Sequence, residues 1–190
     1  TFFCNRKKFL ELLNKKKIFM ATWNLDPTHS EVQFKVKHLM ITNVTGSLTG
    51  LEGSIEAEGD TITGAKVKFS TQVETINTAN EQRDAHLRSA DFFDVENFPV
   101  LTFEAHSYST GDDKITGTLT IKDVSKEVAF DVEYNGENTD PWGNKKVGFS
   151  INGKINRTDF GLTWNAALET GGVLVSEEVR LSAELQFVGA

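Results

Sequence analysis

The chain is 190 residues long, which suits one domain, and its 38% hydrophobic and 25% charged residues are typical of a globular protein. A net charge of −7 argues against nucleic acid as a partner, because phosphate binding depends on clustered Lys and Arg side chains. The single cysteine, Cys4, excludes an internal disulfide and any zinc site built on several cysteines.

The first residues differ from the rest in charge. Residues 1–19 carry six basic side chains against one acidic side chain, Glu11. We interpret residues 1–20 as a basic extension, a tag or upstream residues, and place the folded domain at 21–190. The alternative is a surface-lying helix with Phe9 and Leu13 opposite its lysines. The apolar run Ile18 to Ala21 is too short for a secretory signal, which predicts a cytoplasmic location.

Beyond residue 21 the dominant pattern is an alternation of apolar and polar residues. Alternation puts one face of a strand on a core and the other in water, as in antiparallel sheets. Residues 44–58 show the weakest alternation because glycines break it. The eight alternating runs, in chain order, are 32–37, 44–58, 66–73, 101–106, 115–122, 128–134, 147–156 and 179–187.

Two segments depart from this pattern. Residues 78–92 have helical character, with Leu87 and Phe92 able to pack inward, and residues 156–178 form the longest irregular stretch. Eight strand-like runs separated by turn residues predict an all-β fold. We therefore expect a single extended eight-stranded antiparallel β-barrel with a short helical insertion around 78–92.

The size of the residues predicted to face inward bears on whether such a barrel is hollow. A barrel of eight strands is just wide enough to be filled by side chains or to hold one small ligand. Gly117, Gly153 and Ala183 face inward by parity, among several inward phenylalanines such as Phe130. Small residues leave a cavity unless the phenyl rings occupy the space, and the spacing alone does not decide between these alternatives.

The histidines and one charged cluster are the candidates for chemistry. By parity His38 points inward and His106 outward, while His29 and His86 lie elsewhere, so we predict no metal site. Arg83, Asp84 and His86 invite three interpretations: a structural network, head-group contact by Arg83 or Arg157, and general-base catalysis. The chain lacks a G-x-S-x-G nucleophile elbow, and we favour the structural network.

The chain resembles a known family. The matching residues are Trp23, Asp26, His29-Ser30, Phe34 and His38, the R-D-x-H-L block at 83–87, the D-F-F residues at 91–93, Phe98-Pro99 and Phe103, G-T-L-T-I at 117–121 with Lys126, and R-x-D-F-G-L-x-W at 157–164. They are similar, in order and spacing over about 22–189, to the YceI-like family of lipid-binding barrels. This resemblance implies a lipocalin-like barrel whose apolar tunnel holds a polyisoprenoid or similar chain.

From the resemblance we expect a protein that binds, transports or stores a long-chain isoprenoid, isoprenoid quinone or fatty acid or amide. Family members are often periplasmic, in contrast to the cytoplasmic location expected here. The alternative function is an enzyme that acts on such a lipid through Arg83 and His86. We expect no cofactor, no metal and no nucleic acid partner, and leave a homodimer open. The predicted ligand-binding residues are Phe34, Val36, His38, Phe69, Phe103, Leu119, Phe130, Phe149, Arg157 and Trp164.

Overall fold

The structure, a computed structural model, describes residues 20–59, 61–167 and 172–190. The predicted basic extension, apart from Met20, lies outside these residues. Within them the chain forms ten strand segments and one α-helix. In chain order these are β1 (Met20–Leu25), β2 (Glu31–His38), β3 (Thr42–Leu48), β4 (Leu51–Glu58), β5 (Ala65–Gln72), α1 (Glu81–Arg88), β6 (Val100–Tyr108), β7 (Lys114–Ile121), β8 (Val124–Thr139), β9 (Lys145–Asn156) and β10 (Val175–Gly189).

The ten segments occupy eight positions in a closed antiparallel β-barrel, which confirms the predicted fold. β10 pairs along one edge with β9, and along its other edge first with β2 and then with β1. β3 pairs with β2, and β4 pairs with β1. Thus β1 and β2 are two halves of one barrel strand, and β3 and β4 are two halves of the next.

A tight turn breaks the first of these long strands. Pro27–His29 form a 3-10 turn, and the Asp26 carboxylate caps it by accepting a hydrogen bond from the Thr28 backbone N–H. Proline suits this first helical position because its ring fixes φ and its missing N–H has no partner there. The partner strand β10 runs straight past the break, and Gln186 donates its backbone N–H to the Ser30 hydroxyl at 3.0 Å.

The barrel is closed by backbone pairing at one end only. In the half built from β1 and β4, the order β1-β4-β5-β6-β7-β8-β9-β10 returns to β1. In the other half, β3 is the last strand of the sheet, and only an isolated bridge between Ser47 and Asn77 continues it. Residues 73–99, which connect β5 to β6, fill the gap beside β3. We call this segment the cover.

The cover holds the helix predicted over 78–92. Only Glu81–Arg88 is α-helical, and the Asn80 side chain caps it by accepting a hydrogen bond from the Arg83 backbone N–H at 3.0 Å. An eight-residue helix is too short to be stable alone, so its stability depends on packing against the barrel. This half of the barrel wall therefore relies on side-chain contacts rather than on a hydrogen-bonded ladder.

The core is solid at the closed end and looser at the covered end. At the closed end Trp23, Ala57 and Val147 are each at most 4% exposed. At the covered end the inward residues of β2 and of the first half of β10 are only partly buried, including Val32 and Leu181. Inward residues that stay partly exposed indicate a hollow interior.

Three local expectations from the sequence are wrong. The strand Met20–Leu25 was not among the eight predicted runs. Lys122 does not extend the outward face of β7 but lies in the following turn with φ of 57°. β10 begins at Val175, four residues before the predicted run. No helix in the described part of the chain is long and apolar enough to cross a membrane.

Candidate functional site

The hollow half of the barrel contains a cavity of about 230 Å³. Its wall comes from the inward faces of the strands and from the cover, which contributes Ile76, Leu87, Phe92 and Phe93. The surface of the cavity is apolar throughout. Aliphatic and aromatic walls of this kind exclude water and favour an apolar occupant.

Eight of the ten residues predicted as ligand-binding line this cavity. They are Phe34, Val36, Phe69, Phe103, Leu119, Phe130, Phe149 and Arg157. His38 and Trp164 do not line it. His38 is the last residue of β2 and lies opposite Val175, which lines the cavity, but the His38 side chain is not part of the wall. Contact of any of these residues with a ligand stays a prediction.

Trp164 instead joins the cover to the segment after β9. Its ring packs edge to face on His86 with centroids 4.8 Å apart, and against Phe92 at 5.3 Å. His86 in turn packs on Phe92 at 5.1 Å. Aromatic contacts at these distances stabilise the junction beyond simple area burial. Trp164 therefore helps to hold the cover on the barrel.

Three phenylalanine rings lie over inward glycines, so these glycines do not leave empty space. A Cβ atom at Gly46 would overlap the ring of Phe34, and one at Gly153 would overlap the ring of Phe130. At Gly117 a Cβ atom would lie 2.7 Å from Cζ of Phe103. The space that these glycines leave is thus occupied by rings, and the cavity lies where the remaining inward side chains do not meet.

The predicted site omitted several residues of the cavity wall. Leu162 and Val175 lie in the stretch 156–178, which the sequence pattern predicts to be irregular, and Leu48 lies in the weak run 44–58. Leu162 belongs to the R-x-D-F-G-L-x-W block, which was the available signal for it. Leu48 and Val175 carry no comparable signal, because alternation is interrupted on both sides of them.

Arg157 is buried, at 4% exposure, and its guanidinium donates hydrogen bonds to the backbone. It donates hydrogen bonds to the carbonyl oxygens of Ser176 and Trp164, each at 2.9 Å, and also to those of Leu162 and Val175. Burial lowers the pKa of the guanidinium below its usual value. The side chain therefore joins the chain after β9 to the start of β10, and this geometry favours the structural role over head-group contact.

The Arg83, Asp84 and His86 cluster is also a network within the cover. Arg83 donates to the Thr78 hydroxyl at 2.7 Å and to its carbonyl at 2.8 Å. The buried carboxylate of Asp84 accepts from the Thr78 backbone N–H at 2.9 Å and from its hydroxyl. His86 lies 3.2 Å from a carboxylate oxygen of Asp91. None of these three side chains lines the cavity.

Asp26 and its neighbours form a second network, at the break between β1 and β2. Its carboxylate accepts hydrogen bonds from the Thr28 hydroxyl at 2.6 Å and from Gln186 at 3.1 Å, and lies 3.3 Å from the ammonium of Lys146. The Thr28 hydrogen bond is the largest of the effects that hold the pKa of this carboxyl well below its usual range. Asp26, His29 and Ser30, which are among the residues similar to the YceI-like family, thus hold the turn that divides the first barrel strand into β1 and β2.

Metal binding has no counterpart in the described structure. Within residues 20–59, 61–167 and 172–190 no group of three or more His, Cys, Asp and Glu side chains could hold a metal ion. His29 lies against Asp26, and His86 against Asp91. These two imidazoles therefore each lie beside a single carboxylate.

Known proteins share this architecture and much of the sequence. The model of the YceI-like domain matches residues 23–187. The UPF0312 protein SA2479 of Staphylococcus aureus is 38% identical over 169 residues, which span 88% of this chain and 98% of that protein. The crystal structure of the Campylobacter jejuni YCEI protein superposes with a TM-score of 0.66 at 34% identity, covering 80% of this chain and 88% of that one.

More distant structures have the same fold. Burkholderia cenocepacia BcnA superposes with a TM-score of 0.71 at 19% identity, covering 85% of this chain and 98% of that one. A structure described as a polyisoprenoid binding domain from Saccharophagus degradans superposes with a TM-score of 0.67 at 18% identity, covering 88% and 98%. Together with the match over 23–187, the 38% identity to the staphylococcal protein confirms the resemblance: the chain belongs to the YceI-like family.

Proposed function

We propose that this protein binds a long-chain apolar lipid, of isoprenoid or fatty type, in its barrel and so carries or stores it. The observation that carries the proposal is the cavity of about 230 Å³ with an apolar surface, enclosed by the barrel and the cover. Burial of each methylene group contributes roughly 0.8 kcal/mol, so an apolar chain is the ligand that such a surface favours. The polyisoprenoid-binding description of one structural neighbour agrees with this chemistry.

The size of the cavity sets what part of the ligand is enclosed. A chain longer than the cavity would displace the cover or extend beyond it. The cover can yield more easily than the strands because side-chain packing, rather than a backbone ladder, holds it beside β3.

The enzyme alternative finds no support in the position of the charged cluster. Arg83 and Asp84 are both engaged with Thr78, and His86 is packed between Phe92 and Trp164. A general base must come within hydrogen-bond reach of its substrate. Because none of the three lines the cavity, a lipid held there would not meet them.

The experiment is displacement of a fluorescent fatty acid from the purified protein by fatty alcohols, fatty acids and isoprenyl phosphates of matched length. We expect saturable one-site binding, with affinities that differ little between head groups because the cavity surface is apolar. Mass spectrometry of the extracted ligand after incubation should recover it unchanged. Absence of saturable probe binding would refute the proposal, and a product that disappears in His86→Ala would establish the enzyme instead.

A further inference from the structure

The hairpin between β2 and β3 exposes large apolar side chains that the fold does not need. Ile41 is 83% exposed and Met40 is 55% exposed at its tip. Val173, at 40%, is next to Leu174, whose carbonyl accepts the Leu39 backbone N–H at 2.8 Å. These residues form one apolar surface, which we call the tip: Leu39, Met40, Ile41 and Val173.

The backbone of the tip makes this composition unexpected on folding grounds alone. Leu39 and Met40 have φ of 52° and 61°, and Ile41 donates its backbone N–H to the His38 carbonyl at 3.2 Å. This is a two-residue turn with both central residues left-handed, a conformation that favours Asn and Gly. Apolar residues with a Cβ atom destabilise such a turn relative to Asn-Gly. The tip therefore has large apolar side chains where folding favours small polar ones.

The position of the tip relates it to the cavity. Val36 and Val175, which both line the cavity, lie on the two strands that lead into the tip. β3, which begins directly after it, is the strand whose outer edge lacks a sheet neighbour and is flanked by the cover. The tip thus lies at the covered end of the barrel, beside the part of the wall where the cover, joined to β3 by one isolated bridge, replaces a sheet neighbour.

The charge near the tip indicates which partner fits it. Lys35, Lys37, Lys154 and Arg180 face outward here against Glu177 and Glu178, so this face carries a small local excess of positive charge. The whole chain carries a net charge of −7, which disfavours an anionic surface. Because the negative charge of the whole chain opposes this small local excess, the exposed apolar side chains suit an uncharged lipid surface, where apolar insertion supplies the binding.

We propose that the tip docks the covered end of the barrel on an electrically neutral lipid bilayer, so that an apolar chain passes between bilayer and cavity without crossing water. This inference rests on the proposed function. It names the lipid surface as the partner of the protein and the β2–β3 hairpin as its contact. The opposite end of the barrel faces away from the bilayer.

The chain supplies a matched control for the test. Trp142 is also 83% exposed at a hairpin tip, between β8 and β9. That hairpin adjoins the far end of β10, about 45 Å along this strand from its start beside the β2–β3 tip, at roughly 3.3 Å per residue. Removing Trp142 therefore deletes as much exposed apolar surface at the end that the proposal leaves free.

The experiment is flotation of the full chain with phosphatidylcholine vesicles, which suppress any electrostatic contribution from the basic residues at 1–19. The test variant is Met40→Asn with Ile41→Thr, since Asn suits the left-handed turn and Thr suits the adjoining strand. We expect wild type and Trp142→Ala to float equally and the double variant to lose about tenfold or more in partitioning.

Each other outcome overturns the proposal. It fails if wild type does not float, if the double variant floats as wild type does, or if Trp142→Ala abolishes flotation. Binding of the water-dispersed fluorescent fatty acid, measured on the same samples, separates this failure from failure of the proposed function. Unchanged probe binding without flotation leaves the lipid-binding function intact and removes the docking surface.

Discussion

The ring of Phe130 on β8 lies against the Cα atom of Gly153 on the neighbouring strand β9, where any Cβ atom would overlap it. The pair adjoins the cross-strand partners Asp131 and Asn152. Because the glycine lets the ring lie close to the barrel wall, the ring occupies little of the interior. The same arrangement recurs where Phe34 covers Gly46. The volume of the cavity therefore depends on these pairs as much as on the number of strands.

The first prediction tests this relationship. Gly153→Ala should destabilise the protein by about 1–3 kcal/mol, because the new methyl group forces the Phe130 ring from its position. Gly148→Ala on the same strand is the control, since its Cβ atom would make an ordinary contact with Asn135 at 3.5 Å. Urea unfolding of both variants measures the difference. Equal losses in the free energy of unfolding would show that the Phe130 ring does not require a glycine at position 153.

The second prediction concerns the energy of the core. Phe130→Ala should cost about 3–5 kcal/mol in the free energy of unfolding, because the ring is 7% exposed and its removal leaves a void. Glu133→Ala, outward on the same strand, should change it by no more than about 0.5 kcal/mol. Lys122 is a poorer control, since it lies in a left-handed turn with its ammonium 5.8 Å from the centre of the Phe98 ring. Similar losses at Phe130 and Glu133 would contradict the inward and outward assignment.

The sequence could predict most of the barrel, because inward and outward positions follow directly from alternation. Phe69, Phe103, Leu119 and Phe149 were assigned inward from this pattern alone, and each lines the cavity. The prediction stops where a strand ends. His38 has the inward parity of Val36, yet it is the last residue of β2 and does not line the cavity.

The cavity itself could not be predicted, because it depends on ring orientation rather than on composition. Gly117 and Gly153 were consistent with empty space or with rings laid across them, and both are covered by rings. The division of the first barrel strand into β1 and β2 could not be predicted from the sequence either. Asp26-Pro27 signals a turn, but only the straight course of β10 past Gln186 shows that both halves share one partner.

The third prediction concerns pH. The pKa of the Asp26 carboxyl is held down mainly by the Thr28 hydroxyl, so the folded state binds this proton less readily than the unfolded chain. The stabilisation is therefore complete above the ordinary aspartate pKa of about 4 and is lost as the pH falls through the lower folded value. Asp26→Asn should cost about 1–2 kcal/mol at pH 7, and this deficit should shrink towards pH 3. Unfolding by urea across this range measures it; a deficit that stays constant with pH would assign the effect to packing.

The fourth prediction concerns Arg157. Arg157→Lys should destabilise the protein by about 2–4 kcal/mol, because a single ammonium group lacks the planar fork of the guanidinium and cannot donate to four backbone carbonyls at once. The affinity ratio between an isoprenyl phosphate and the matching alcohol should stay unchanged, since the guanidinium is used by the backbone. Thermal unfolding and probe displacement together check this. A selective loss of phosphate affinity at unchanged stability would instead establish head-group contact.

The last prediction concerns how affinity depends on the length of the ligand. Each added methylene should tighten binding about fourfold, from roughly 0.8 kcal/mol of burial, until the chain fills the cavity. Beyond that length the gain per carbon should fall, because the cover must move to admit more. Displacement of the fluorescent fatty acid by a series of straight-chain alcohols measures the slope and its break.

Filling the cavity should remove this dependence. Ala183 lines the cavity from β10, so Ala183→Phe should weaken binding at least tenfold, whereas Ala129→Phe on the outward face of β8 should not. Gly117→Leu is unsuitable for this purpose, because a Cβ atom there would lie 2.5 Å from the Glu104 carbonyl oxygen and strain the sheet. Both phenylalanine variants should unfold within a few degrees of each other, which separates loss of the cavity from loss of the fold. Affinity that is flat with chain length in wild type, or equal in the two variants, would mean that the lipid does not bind inside the barrel.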